Sequence, residues 1–131
     1  MRTALFVGGV LVVVAVAASL AQGQQGQIGR TELTHRDFGD EVHEVIQVRV
    51  DFGPGATFPK HSHPGVEIAY VLEGTLEYQL EDRPPVRLKP GDSLFIPAGA
   101  AHSARNVGSG GASELATYVV QMGKPLVVTA P

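Results

Sequence analysis

After Arg30 the chain shows no sustained helical period; short runs of period two recur instead. In "VIQVRVDF" the residues Ile46, Val48, Val50 and Phe52 alternate with Gln47, Arg49 and Asp51. Successive side chains of a strand point to opposite faces, so this run predicts a strand buried on one side only. "TLEYQL" repeats the pattern, with Leu76, Tyr78 and Leu80 on one face and Thr75, Glu77 and Gln79 on the other. "VEIAYVLEG" and "ELATYVVQM" read as further strands, and Gly74 as a tight hairpin turn joining the first of them to "TLEYQL". Turn residues punctuate the runs at "FGPG", "EDRPP", Pro90-Gly91 and Pro97 to Gly99. Many short strands specify an all-β fold. In a chain of 131 residues the architecture that fits best is a single small jelly-roll barrel.

The first residues stand apart from that barrel. "MRTALFVGGVLVVVAVAASLA" has one early cation, Arg2, an apolar run from Ala4 to Ala18, and small residues at Ser19 and Ala21. This is the layout of a secretory signal peptide over residues 1–21. An uncleaved anchor ranks second, because the run is short for a span and carries Gly8-Gly9. Residues 22–30 read as a polar Gln/Gly linker and 31–131 as the barrel domain. Cleavage would give a periplasmic or secreted protein with no stable membrane span. The net charge is −3 with no basic run, which argues against nucleic acid as a partner. The chain has no cysteine, so any metal must be held by imidazole and oxygen.

"HSHPGVE" supplies such donors. His61 and His63 are two apart, hence on one face of a strand, and Glu67 keeps the parity if the Pro64-Gly65 kink adds no bulge. Two imidazoles and a carboxylate suit zinc, iron, manganese, nickel or copper. A solvated, histidine-rich turn is the competing reading on spacing alone. His102 is a fourth candidate, placed after a Pro-x-Gly turn in "GDSLFIPAGAAH" that could fold it back toward the first three. His35 and His43, in the polar segment before the first clear strand, read as solvated, with His43 alternatively a hydrogen-bond donor at the barrel mouth.

The spacing around these residues resembles a known family. Gly55-x5-His61-x-His63-x3-Glu67-x6-Gly74 and Gly91-x5-Pro97-x-Gly99-x2-His102-x3-Asn106 are similar, in order and without departure, to the two motifs of the cupins. Both motifs fall within 55–106, and the short segment between them is similar to that of small single-domain cupins of the quercetin-dioxygenase-like type. The resemblance implies a double-stranded β-helix barrel holding one divalent transition metal at His61, His63, Glu67 and His102.

By parity, Ala69 and Val71 then face inward with Glu67, while Ile68, Tyr70 and Leu72 face out. The resemblance implies a second subunit as cover for that outer face, making a homodimer; the segment around Phe38 and Val42 is the rival cover. In function, it implies a metal-dependent dioxygenase acting on a small enolic or phenolic substrate, with Glu67 also accepting the substrate's proton. The alternative is a non-catalytic periplasmic protein that binds or senses a metal or small anion. Polar groups facing inward beyond the four ligands would favour the enzyme, and Tyr78 and Gln121 are the candidates. Decarboxylation of a diacid ranks lower. It would need an acid on a mobile lid, for which the sequence has no clear loop, and a further cation, and the candidates Arg105 and Lys60 read as exposed.

Overall fold

The structure is a computed structural model that describes residues 26–131; the expected signal peptide over 1–21 lies outside the described residues. Ten strands follow one another: β1 (Ile28–Asp37), β2 (His43–Phe52), β3 (Thr57–Ser62), β4 (Gly65–Glu73), β5 (Leu76–Leu80), β6 (Val86–Leu88), β7 (Ser93–Ile96), β8 (His102–Asn106), β9 (Ala112–Gln121) and β10 (Val128–Thr129). They form two antiparallel five-stranded sheets, ordered β1-β2-β9-β4-β7 and β10-β3-β8-β5-β6. The inner faces of the sheets share one core. The alternation in β2 buries Ile46, Val48, Val50 and Phe52, and that in β5 buries Leu76, Tyr78 and Leu80, as their sequence periods require. The fold is the all-β jelly roll expected. Among the described residues no helix is long and apolar enough to cross a membrane.

Two expectations are corrected. The strand β1 starts at Ile28, inside the expected linker, and continues through the polar segment to Asp37, paired with β2 on either side of a bulge at Leu33. Its sequence looked like a loop because β1 is an edge strand exposed along nearly its whole length, so no buried face imposes alternation. Gly74 does not close a hairpin, since β4 and β5 lie in different sheets. It is a corner with φ +72°, where a Cβ would come within 2.6 Å of Gly111 O. Glycine is needed there on both counts.

A similar corner carries the chain from β3 to β4. At Gly65 a Cβ would sit 2.1 Å from Val119 O, so only glycine lets β4 dock against β9. Buried Asn106 clasps two connections, β2–β3 and β8–β9. Its Nδ2 donates to the carbonyls of Phe52, Gly53 and Gly110, and its Oδ1 accepts from the Gly108 N–H.

Candidate metal centre

The two corners bring the motif residues together. His61 ends up inward because β3 bulges against β8: Phe58 pairs with Ala104 and His61 with His102, leaving Pro59 and Lys60 opposite Ser103 alone. Pro59 cannot donate to a ladder, which makes this a natural place for the extra residue. The bulge shifts the parity, so Phe58 and His61 share the inner side with ring centroids 4.5 Å apart. His63 lies at the crossing between sheets, and Glu67 reaches in from β4 in the opposite sheet, paired with Tyr118 and Ile96. All four residues are buried, each at most 6% exposed. The ligand atoms of His61, His63 and His102 lie within 4.8 Å of one another.

Each imidazole is oriented by a backbone carbonyl. Nδ1–H of His61 donates to Pro59 O at 2.7 Å, that of His63 to Leu126 O at 2.6 Å, and that of His102 to Ala100 O at 2.9 Å. A carbonyl only accepts, so Nδ1 carries the proton in all three rings, and a neutral ring offers its Nε2 lone pair to the cavity. Those Nε2 atoms meet a carboxylate. His102 Nε2 lies 3.1 Å from Glu67 Oε2, and His63 Nε2 lies 2.9 Å from the same oxygen. The His63 contact is off line for a hydrogen bond, and His63 Nε2 is a buried side-chain polar atom with no hydrogen-bond partner. Lone pairs so confronted stand together only with positive charge among them, either a proton on an imidazole or a metal ion. The donor set therefore fits a divalent transition metal.

The protonation pattern carries the same message. Burial holds the His61 imidazole down to about 4, keeping it neutral. Burial also opposes the charged form of His102, but its hydrogen bonds to Glu67 and Ala100 outweigh that and raise its pKa. Burial would raise Glu67; the hydrogen bond from His102 and the nearness of His63 more than offset it and hold the carboxyl at about 2. Glu67 is thus a firm anion, suited to ligation and weak as a proton acceptor near neutral pH.

Beside the donors lies a small cavity with about 10 Å³ of free volume, room for roughly one water. Ala104 and Phe58 line it, and Arg30, an exposed lining residue, marks its opening. Its lining is also polar: Tyr78 and Tyr118 are buried there, and Tyr78 donates a hydrogen bond to buried Glu114 across the two sheets. Burial, reinforced by the charge of Glu67, pushes the Glu114 carboxyl up to about 7, and burial pushes both tyrosines above their ordinary range. Tyr78 is thus inward as expected. Gln121 is not: it is exposed at the end of β9, whose inward residues are Glu114, Ala116, Tyr118 and Val120. Both faces of β9 carry apolar residues, so its sequence did not reveal the register, and Glu114 and Tyr118 were missed. His35 and His43 stay outside, paired with Glu44 and Asp40. Arg105 is held by Glu77 at 3.1 Å, and Lys60 is exposed.

A ten-stranded jelly roll with three converging buried histidines that could hold a metal ion defines the class: a small β-barrel with a candidate metal centre. The cupin domain profile matches residues 48–119, more than half of the chain, and the protein belongs to the cupin family. Dimethylsulfoniopropionate lyase DddQ of Ruegeria pomeroyi is 45% identical over 51 residues, covering 39% of this chain and 25% of the lyase. Germin-like protein subfamily 2 member 1 of Arabidopsis thaliana is 35% identical over 79 residues, covering 56% of this chain and 36% of the germin-like protein. The structure of oxalate oxidase in complex with the substrate analogue glycolate superposes with a TM-score of 0.65 at 28% identity, over 81% of this chain and 56% of the oxidase. The chain matches about a third or less of the length of these two curated relatives.

Proposed function

We propose that this cupin is an exported metalloenzyme that holds one divalent transition metal on His61, His63, Glu67 and His102 and oxidises a small enolic or phenolic substrate with dioxygen. One observation carries the reading: three Nε2 atoms, each fixed by a backbone carbonyl behind its ring, converge beside a carboxylate that is already ionised. When bound, the metal supplies Lewis acidity toward a deprotonated oxygen ligand and, if redox-active, a path to dioxygen chemistry. The protein's part is to hold the substrate at the mouth of this small cavity and to manage its proton. Glu67 is available for that proton but is held low by its imidazole neighbours. The Tyr78–Glu114 pair in the cavity lining offers a second carboxylate better matched to neutral pH. The resemblance to an oxalate oxidase supports an oxidative reaction, and the resemblance to a lyase marks how widely chemistry varies on this fold.

The small free volume favours a second reading, a periplasmic protein that binds its metal or a small anion without turnover. Oxygen uptake separates the two. The full chain, recovered from the compartment it reaches, is expected to carry near-stoichiometric metal and to consume oxygen with flavonols or simpler enols, and Glu67→Gln is expected to abolish uptake. Bound metal without uptake across such a panel would favour the binder. Metal-free protein with no thermal shift on adding iron, manganese, zinc, nickel or copper would remove both readings.

Dimerisation belongs to the same proposal. Ile68, Tyr70 and Phe95 are 46%, 43% and 57% exposed on neighbouring strands β4 and β7, where Ile68 pairs with Phe95. Phe38 and Val42, the rival cover, are themselves 57% and 54% exposed. A second copy of the chain covering this edge would bury all three side chains.

A further inference from the structure

Arg30 belongs to neither motif, yet it lines the metal-site cavity. It projects from β1, the strand paired to β2 at the edge of its sheet, and its guanidinium carbon lies 5.6 Å from the centroid of the Phe58 ring. Phe58 in turn lies against His61, and His61 against His102 with centroids 4.2 Å apart. A run of tilted ring contacts therefore leads from the exposed guanidinium to the buried histidines. A cation over an aromatic face is held in place without being neutralised.

Its charge has no ion-pair partner among the described residues. Arg49, Arg87 and Arg105 are each paired with a carboxylate, whereas none lies within ion-pair reach of Arg30. The first 25 residues contain no Asp or Glu, so they cannot supply one either. A divalent ion on three neutral imidazoles and Glu67 would leave a net positive centre behind this second cation. Tyr78, Tyr118 and Glu114 line the same cavity. Of the two carboxylates that line the cavity, Glu67 would be taken up by the ion and Glu114 is held by Tyr78, which leaves the guanidinium of Arg30 free for an incoming anion.

We infer that Arg30 is the anion-recognising residue of this cavity, and that its ligand is a small carboxylic acid whose carboxylate is gripped by the guanidinium at the mouth. A planar guanidinium matches a carboxylate with two parallel hydrogen bonds, which a lysine ammonium does not reproduce. The free volume inside is too small for the body of such a ligand, so the acid spans the opening rather than filling the interior. This rests on the metal-site reading and adds the substrate class: the reacting enol or phenol carries an acid group beside it.

Calorimetric titration of the metal-loaded full chain with glycolate, oxalate, pyruvate and benzoate, against uncharged ethylene glycol, tests the inference. At least one acid is expected to bind, the neutral diol is not, and Arg30→Gln is expected to weaken that acid about 10- to 100-fold. Arg30→Lys should recover only part of the loss. Metal content of both variants, measured on the same samples, should equal wild type. Equal affinity of wild type and Arg30→Gln for every acid that binds, or no acid binding at all to protein shown to hold metal, overturns the role of Arg30 while the metal site stands. Protein found without metal and unable to take it up overturns the underlying reading instead.

Discussion

Glu114 shows how one buried side chain can set a pH dependence. Its folded-state pKa is raised from 4.5 to about 7, so its favourable, protonated burial is fully present below 4.5 and is lost as pH rises through 7. Glu114→Gln keeps the shape and an acceptor for Tyr78 but cannot ionise. In metal-free protein the variant is expected to melt at a higher temperature than wild type at pH 8, with the gap closing toward pH 5. Thermal scans across that range check it, and a gap that widens toward pH 5 would refute the assignment. His61 acts in a different window: its pKa falls from 6.5 to about 4, so the metal-free protein loses stability as pH drops between those values. The four motif residues could be found from sequence because they sit in two short runs with fixed spacing. Arg30 and Glu114 could not, since each comes from a distant strand and meets the site only after folding.

Among the elements, the connections decide more than the strands. Gly65 is the tightest: Gly65→Ala would place a methyl carbon 2.1 Å from Val119 O, against backbone that cannot yield without unpairing β4 from β9. A loss of about 3 kcal/mol is expected in urea unfolding. Asn106→Ala removes the donor to three carbonyls and the acceptor for Gly108, and should cost about 2 kcal/mol by the same measurement. Far-UV circular dichroism of both variants should remain β-rich below their transitions. The period-two runs announced β2 and β5 because each buries one face only. They were silent about which sheet each strand joins. Gly74 illustrates the gap, since a positive-φ glycine between two strands serves a hairpin and an inter-sheet corner equally well. The bulge at Pro59 and Lys60 was equally hidden, although without it His61 and Phe58 would face opposite ways.

For the whole molecule, the proposed dimer and the proposed export each have a direct readout. Light scattering of the mature chain should give twice the monomer mass, and Phe95→Asp should return it to the monomer without altering metal content. A fusion of residues 1–30 to a reporter active only outside the cytoplasm should be active, with mature protein starting near Gln22. Metal removal is expected to lower the melting temperature, because an ion bound only by the folded state stabilises it in proportion to the logarithm of its free concentration. The source of that gain is the division of donors between sheets. The chain has no disulfide, and Glu67 stands on one sheet while His61 and His102 stand on the other. An ion at this site would act as a rivet through the barrel. The protein's lifetime would then keep account of metal supply: chains that fail to find an ion open more often and are cleared by proteases, so the surviving population is enriched in chains already loaded.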